Sequence, residues 1–236
     1  VTDSNRDRAH HWRSSQDVTG FTESGGSSSD VLRFDSADQR LPVFDTNDAA
    51  TQTIALQLGP VTARASAYGE PFAYLPERRA SMAVDGDVST AWTVADRFTA
   101  IGEFLELQTD AAIDHVTLRQ PDSTPNDRTI SAIELRIDDR AILPVMLDER
   151  SLTGSGQRVD IDPTAGATTV RITIAATADP QPAIGAAISG VGFAEVDLGL
   201  GPTSEYVRMP VDALQASALA PDTPLTVIMT RLRADP

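Results

Sequence analysis

Between residues 61 and 198 the chain alternates apolar and polar residues in one short run after another, and that rhythm sets the fold class. The runs are VTARAS (61–66), EFLEL (104–107 preceded by Glu103), IDHVTLR (113–119), ISAIELRI (130–137), TVRITI (169–174) and VGFAEVDL (191–198). Successive side chains on a strand point to opposite faces, so a run of period two buries one face and wets the other. Turn residues separate the runs, and helical periodicity is almost missing from this stretch. Strands buried on one face pair most simply as two sheets packed face to face, so an all-β fold, a β-sandwich, is expected.

The string AVDGDVSTAW (83–92) carries the most chemistry. Asp85 and Asp87 flank Gly86, Thr90 follows closely, and Trp92 stands just beyond. Gly86 tolerates positive φ, so a tight turn here can aim both carboxylates and nearby carbonyl oxygens at one point. An all-oxygen set suits Ca²⁺, which takes about 6–8 hard oxygen ligands. It suits Zn²⁺ poorly, because the chain has no Cys and no His lies near the turn. The same residues also make an ordinary Asx-Gly turn between two strands.

Taken in order, an ASA strand, AVDGDVSTAW, GEFLEL, IDHVTLRQ, ISAIELRID, TTVRITI and ISGVGFAEVDLG resemble the discoidin family over about residues 61–200. That family comprises the coagulation-factor C-type domains, a jelly roll shared by many bacterial carbohydrate-binding modules. The resemblance implies a structural calcium held by Asp85, Asp87, Thr90 and Glu195, with backbone carbonyls from Met82 and Ala194. Such an ion ties the early turn to the last strand. At a Kd of ~0.1–1 mM it adds about 0.5–1.5 kcal/mol of stability in millimolar calcium. Trp92 is expected in the core beside it. Sugar sites in such folds use loop aromatics with Arg, Asn and Asp, which makes Tyr68, Tyr74, Arg97, Arg119 and Asn126 the carbohydrate-binding candidates. Phe98 belongs to the same loops, and Phe72 reads more simply as a plug closing the end of the sandwich. Arg97 and Arg119 have a plainer role open to them, pairing with nearby acids.

Composition narrows the partners. The chain of 236 residues has 34 acidic and 19 basic residues, a formal charge of −15. That balance argues against nucleic acid, anionic lipid headgroups and anionic wall polymers. A neutral polymer such as an arabinan or galactan meets no such penalty. Every basic residue is Arg, which is a codon signature of high-GC bacteria more than a physical device. The absence of Cys excludes disulfides and thiol chemistry. No run approaches the ~20 apolar residues of a membrane span, and no signal peptide is visible.

The flanks read as additions to the sandwich. Residues 1–60 form an N-terminal flanking segment with the linker-like GGSSSD and a few strands. Residues 201–236 read as further strands or the start of another β domain. His10 and His11 are adjacent and diverge on any regular element, so they make a poor chelating pair. The strings VTDSNRDRAHHW, DQRLPVFD and PLTVIMTRLRADP, set around the discoidin-like block, resemble the extracytoplasmic part of actinobacterial D-type arabinofuranosyltransferases. Those are membrane enzymes of cell-wall arabinan synthesis that carry several carbohydrate-binding-module-like domains. The resemblance implies an extracytoplasmic location, with neutral arabinan or sister domains of the same polypeptide as partners. It also implies contact with the membrane only through a transmembrane part outside this sequence, where the transferase chemistry lies.

Little in the chain points to catalysis. No G-x-S-x-G elbow is present, and His115 is expected at a strand end. A P-loop cannot be completed without Lys. Carboxylate pairs about 5–10 Å apart, as glycosidases need, arise by chance among so many acids. The expectation is a non-catalytic carbohydrate-binding module that holds arabinan, with a structural scaffold domain as the alternative.

Overall fold

The computed structural model describes residues 54–69, 75–95, 99–125, 127–178 and 189–208. The chain divides into two compact units, one spanning Gln57–Glu205 and the other joining Val1–Leu56 to Tyr206–Pro236. The site lies within the former. Among the described residues the regular structure is strands and short 3₁₀ turns. The strands are β1 (Ile54–Leu58), β2 (Val61–Ala65), β3 (Trp92–Val94), β4 (Phe104–Thr109), β5 (His115–Arg119), β6 (Thr129–Ile137), β7 (Leu143–Met146), β8 (Gln157–Asp160), β9 (Thr168–Ala178), β10 (Val191–Phe193), β11 (Glu195–Asp197) and β12 (Ser204–Arg208). No described helix is long and apolar enough to cross a membrane.

One sheet runs β2-β4-β9-β6-β7 and the other β11-β5-β8, and shorter ladders join β10 to β3 and β1 to β12. The fold is the all-β sandwich expected from the alternation. Burial follows it: β5 reads half-buried and buried in turn, with Val116 and Leu118 inside. The five-stranded sheet contributes Leu105, Leu107, Ile133, Leu135, Val170, Ile172 and Ile174, each at 0–1% exposure. Trp92, Phe193 and Val196 complete the core. Trp92 is fully buried, donates Nε1–H to the Ala67 carbonyl at 2.9 Å, and stacks on Phe193 with ring centroids 6.2 Å apart.

On the outer face of the larger sheet the register places Arg64, Glu106 and Arg171 side by side on β2, β4 and β9. Glu106 is only 4% exposed and accepts from both guanidinium groups at 2.7 and 2.8 Å. Burial alone would raise its carboxyl, but the two Arg partners hold it below the usual range.

Two departures from the sequence reading bear on the site. The run VGFAEVDL is two strands, because at Ala194 the chain leaves β3, bonds to the Arg119 carbonyl (2.8 Å), and continues along β5. Strand β7 has no alternating signature because it lies at the sheet edge, with Leu143, Pro144 and Met146 all exposed. An edge strand tolerates the missing N–H of Pro144. His115 opens β5, as expected, with Nδ1 2.5 Å from the Asp114 carboxylate.

A candidate cation turn beside a polar cleft

The string AVDGDVSTAW follows a 3₁₀ turn at Ala80–Ala83 and leads into β3. Gly86 has φ of +78°, and a Cβ there would stand 2.9 Å from the Pro202 ring, so glycine is required on both counts. Two Asx turns shape the loop: the Asp85 carboxylate accepts from the Asp87 N–H at 2.9 Å, and the Asp87 carboxylate from the Ser89 N–H at 2.9 Å and its hydroxyl at 2.6 Å. The Ser89 hydroxyl and N–H hold the Asp87 carboxyl below its ordinary value.

The hydroxyl of Thr90 is the focus of the turn. Three oxygens lie around it: the Asp85 carboxylate and the Asp87 carbonyl at 2.8 Å each, and the Met82 carbonyl at 3.3 Å. A hydroxyl carries one hydrogen, so at most one of these contacts is a full hydrogen bond and the others set lone pair against lone pair. From β11 Glu195 reaches the same turn and accepts from the Gly86 N–H at 3.0 Å. Burial pushes the Glu195 carboxyl up to about 7, with Asp85 and Asp197 adding to the rise and the Gly86 N–H opposing it. Met82, Asp85, Asp87, Thr90 and Glu195 are therefore brought to one turn, with Asp87 offering its carbonyl while its carboxylate caps Ser89. Ala194, fully buried, precedes Glu195 directly. Among the described residues no group of three or more His, Cys, Asp or Glu gathers to hold a metal by side chains alone. The donors here are a mixed set of carboxylate, hydroxyl and carbonyl oxygens, the chemistry that hard divalent cations prefer.

The turn is also bonded to the end of its unit, and that end to the start. Thr203 donates its N–H to the Val84 carbonyl at 2.8 Å and its hydroxyl to the Val61 carbonyl at 2.5 Å.

A cleft of about 430 Å³ opens beside the turn. One wall is Glu77 and Arg78 with Ser89, Thr90, Ala91 and Thr93. The facing wall is the loop Gln120, Pro121, Asp122 and Ser123, then Asp127, Arg128 and Thr129, and the floor is Ser189 to Gly192. A second cleft of about 370 Å³ shares Ser123, Asp127 and Thr129 with it. Arg128 braces the far side, donating to Ser189 through its backbone N–H (2.9 Å) and Nε (2.8 Å) and to the Ala95 carbonyl through Nη2 (2.8 Å). Ala95 has φ of +62°, a left-handed conformation for a residue with a Cβ, and the Arg128 bond helps hold it. The Thr93 hydroxyl oxygen on the cleft wall is shielded from water and has no hydrogen-bond partner among the described residues.

The sugar-binding candidates fare differently. Tyr68 is 5% exposed and offers no ring face to a ligand; packing at the end of the sandwich, invisible in the local sequence, takes it inside. Arg119 is held by the Gly154 carbonyl and, at 2.9 Å, by the Asp122 carboxylate, so it positions a cleft residue and does not line the cleft itself. Tyr74, Arg97 and Asn126 lie outside the described residues, as do Phe72 and Phe98. None of the described lining residues is aromatic. Glu77, Ser89, Thr93, Asp122 and Asp127 carry no distinguishing signature in the sequence, although the polar loop PDSTPNDR (121–128) marks the last two.

No protein-family model and no curated protein matches the chain. Among solved structures it is similar to cryo-EM structures of arabinofuranosyltransferase AftD from Mycobacteria. One, of a mutant form, overlays at a TM-score of 0.54 with 18% identity, covering 88% of this chain and 16% of that one. Another overlays at 0.50 with 19% identity, covering 89% and 16%. The family 32 carbohydrate-binding module of NanJ from C. perfringens, solved with galactose, overlays more loosely at 0.39 with 19% identity over 60% of this chain and 97% of the module. The chain thus has the fold of a stretch of the mycobacterial arabinofuranosyltransferase AftD and spans about one sixth of that protein's length.

Proposed function

We propose that this chain is a non-catalytic carbohydrate-binding module of a membrane-bound arabinofuranosyltransferase, working on the extracytoplasmic side and holding neutral cell-wall arabinan near the enzyme. The observation that carries this reading is the cleft. Its walls offer hydroxyls, carboxylates and glycine backbone, which exchange hydrogen bonds with a polyhydroxylated ligand as readily as with water. The acidic balance of the chain disfavours an anionic ligand. A second cleft sharing three residues with the first supports an oligosaccharide over a single sugar.

Titration calorimetry with a linear arabinofuranose hexasaccharide tests this. Saturable binding is expected, weakened at least fivefold by Asp122→Ala, because a hydrogen bond to a charged group is worth about 1.5–3 kcal/mol. The Asp122 side chain is 86% exposed, so the melting curve is expected to stay put. A folded chain that takes up no hexasaccharide at tens of millimolar sinks the proposal.

To the turn we assign a structural Ca²⁺, held by the Asp85 and Glu195 carboxylates, the Thr90 hydroxyl and the carbonyls of Met82, Asp87 and Ala194. The crowding of oxygens around one hydroxyl hydrogen supports the assignment, since a cation turns those opposed lone pairs into ligands. The ion would tie the early turn to β11, joining stretches in which Gly86 and Glu195 stand 109 positions apart. Millimolar calcium is expected to raise stability by about 0.5–1.5 kcal/mol, a few degrees in Tm. Asp85→Asn is expected to abolish that increment. A wild-type melting curve indifferent to calcium and EDTA would contradict the assignment.

A second reading, a scaffold packing against sister domains, has one observation in its favour. Ile142, Leu143 and Met146 stand 51%, 43% and 71% exposed on and beside edge strand β7.

A further inference from the structure

The cation turn and the cleft share two stretches of chain, residues 77–93 and 189–195. On one wall, Glu77 and Arg78 run directly into the 3₁₀ turn that carries Met82. On the same wall, Ser89 is fixed by two hydrogen bonds to Asp87, and Thr90 belongs to both sites: its hydroxyl is the hub of the oxygen cluster and it lines the cleft. On the floor, Gly192 is paired to Thr93 in β10, and the chain runs on through Phe193 and Ala194 to Glu195 at the start of β11. Glu195 in turn bonds to the Gly86 N–H at 3.0 Å. A cation bound to both Asp85 and Glu195 would tie the turn on one wall to the chain that continues from the floor.

Resting on the reading of the cleft as a glycan site, we infer that cation and glycan occupancy are linked: an ion at the turn sets the spacing of Ser89–Thr93 and Gly190–Gly192, and so the affinity of the cleft. The ion touches no sugar; it acts by fixing two segments that do. Linkage is reciprocal, so glycan must raise cation affinity by the factor by which the cation raises glycan affinity. That factor is expected to be about 5–20-fold, at the lower end of ordinary coupling between sites.

The test is a set of calorimetric titrations of the chain with the arabinofuranose hexasaccharide, in calcium and in EDTA, at a temperature where circular dichroism shows the fold intact in both. A companion set titrates calcium with and without hexasaccharide. The expected result is a 5–20-fold tighter sugar Kd in calcium, an equal change in the calcium Kd, and a sugar Kd in Asp85→Asn that ignores calcium and matches wild type in EDTA. Glu195→Gln serves should Asp85→Asn not fold. Equal sugar affinity in calcium and EDTA overturns the linkage and leaves the glycan site standing. Calcium-dependent binding that persists in both variants overturns it too, by placing the responsible ion elsewhere. No sugar binding in either condition overturns the linkage together with the reading it rests on.

Discussion

Gly192→Ala is expected to lose at least ~3 kcal/mol of stability and, with it, the floor of the cleft. A Cβ on Gly192 would lie 1.8 Å from the Trp92 carbonyl oxygen, 2.7 Å from its carbon and 2.9 Å from the Thr93 Cα. All three are backbone atoms of the strand that β10 pairs with, in the register Gly192↔Thr93. No side chain can swing aside, so β10 has to separate from β3. Overpacking a core typically costs about 1–3 kcal/mol, and a clash against fixed backbone belongs at or beyond the top of that range. The same displacement moves Ala194 and Glu195, so calcium is expected to lose its stabilising effect in this variant. Chemical denaturation reads the first effect and a melt with and without calcium the second. A cost under ~1 kcal/mol would show that the close approach of β10 to β3 is not a fixed feature of the fold.

Trp92→Ala is expected to cost about 3–5 kcal/mol, the range for emptying a large aromatic from a core. At about 2–4 °C per kcal/mol for a unit of this size, Tm falls by roughly 10 °C. Trp92 is 0% exposed, lies against Phe193, and satisfies the Ala67 carbonyl through its indole N–H. Trp92→Phe keeps most of the ring and loses the hydrogen bond, so a smaller loss of about 1–2 kcal/mol is expected. The pair of variants separates a core tryptophan from a sugar platform. If Trp92→Ala melted like the wild type while glycan binding vanished, the residue would be a ligand platform and the burial described above would be wrong.

The fold was legible because one buried face forces a two-residue period, and β4, β5, β6 and β9 carry it in plain letters. Strands without a clean inner face left no such trace: β7 is exposed at Leu143, Pro144 and Met146 alike, and β3 is three residues long. The split at Ala194 was hidden because a strand that changes partners keeps its alternation. In the turn, Asp85, Gly86, Asp87 and Thr90 are close in sequence, so their convergence could be read locally. Glu195 is 109 positions from Gly86, and only a family resemblance pointed to it. The cleft was least legible. Its walls are Ser, Thr, Asp and Gly from three distant stretches, residue types that fill ordinary loops, whereas the aromatic signal of Tyr68 led towards a side chain that packing buries.

The measurement that bears most directly on the central claim is a two-dimensional amide NMR titration of the calcium-loaded chain with the arabinofuranose hexasaccharide. Saturable shifts are expected at Ser89, Thr90, Thr93, Asp122, Ser123, Gly190 and Gly192, which line the cleft on both walls and its floor. A folded, calcium-loaded chain whose amides stay still at tens of millimolar ligand, or shift only around β7, would contradict it.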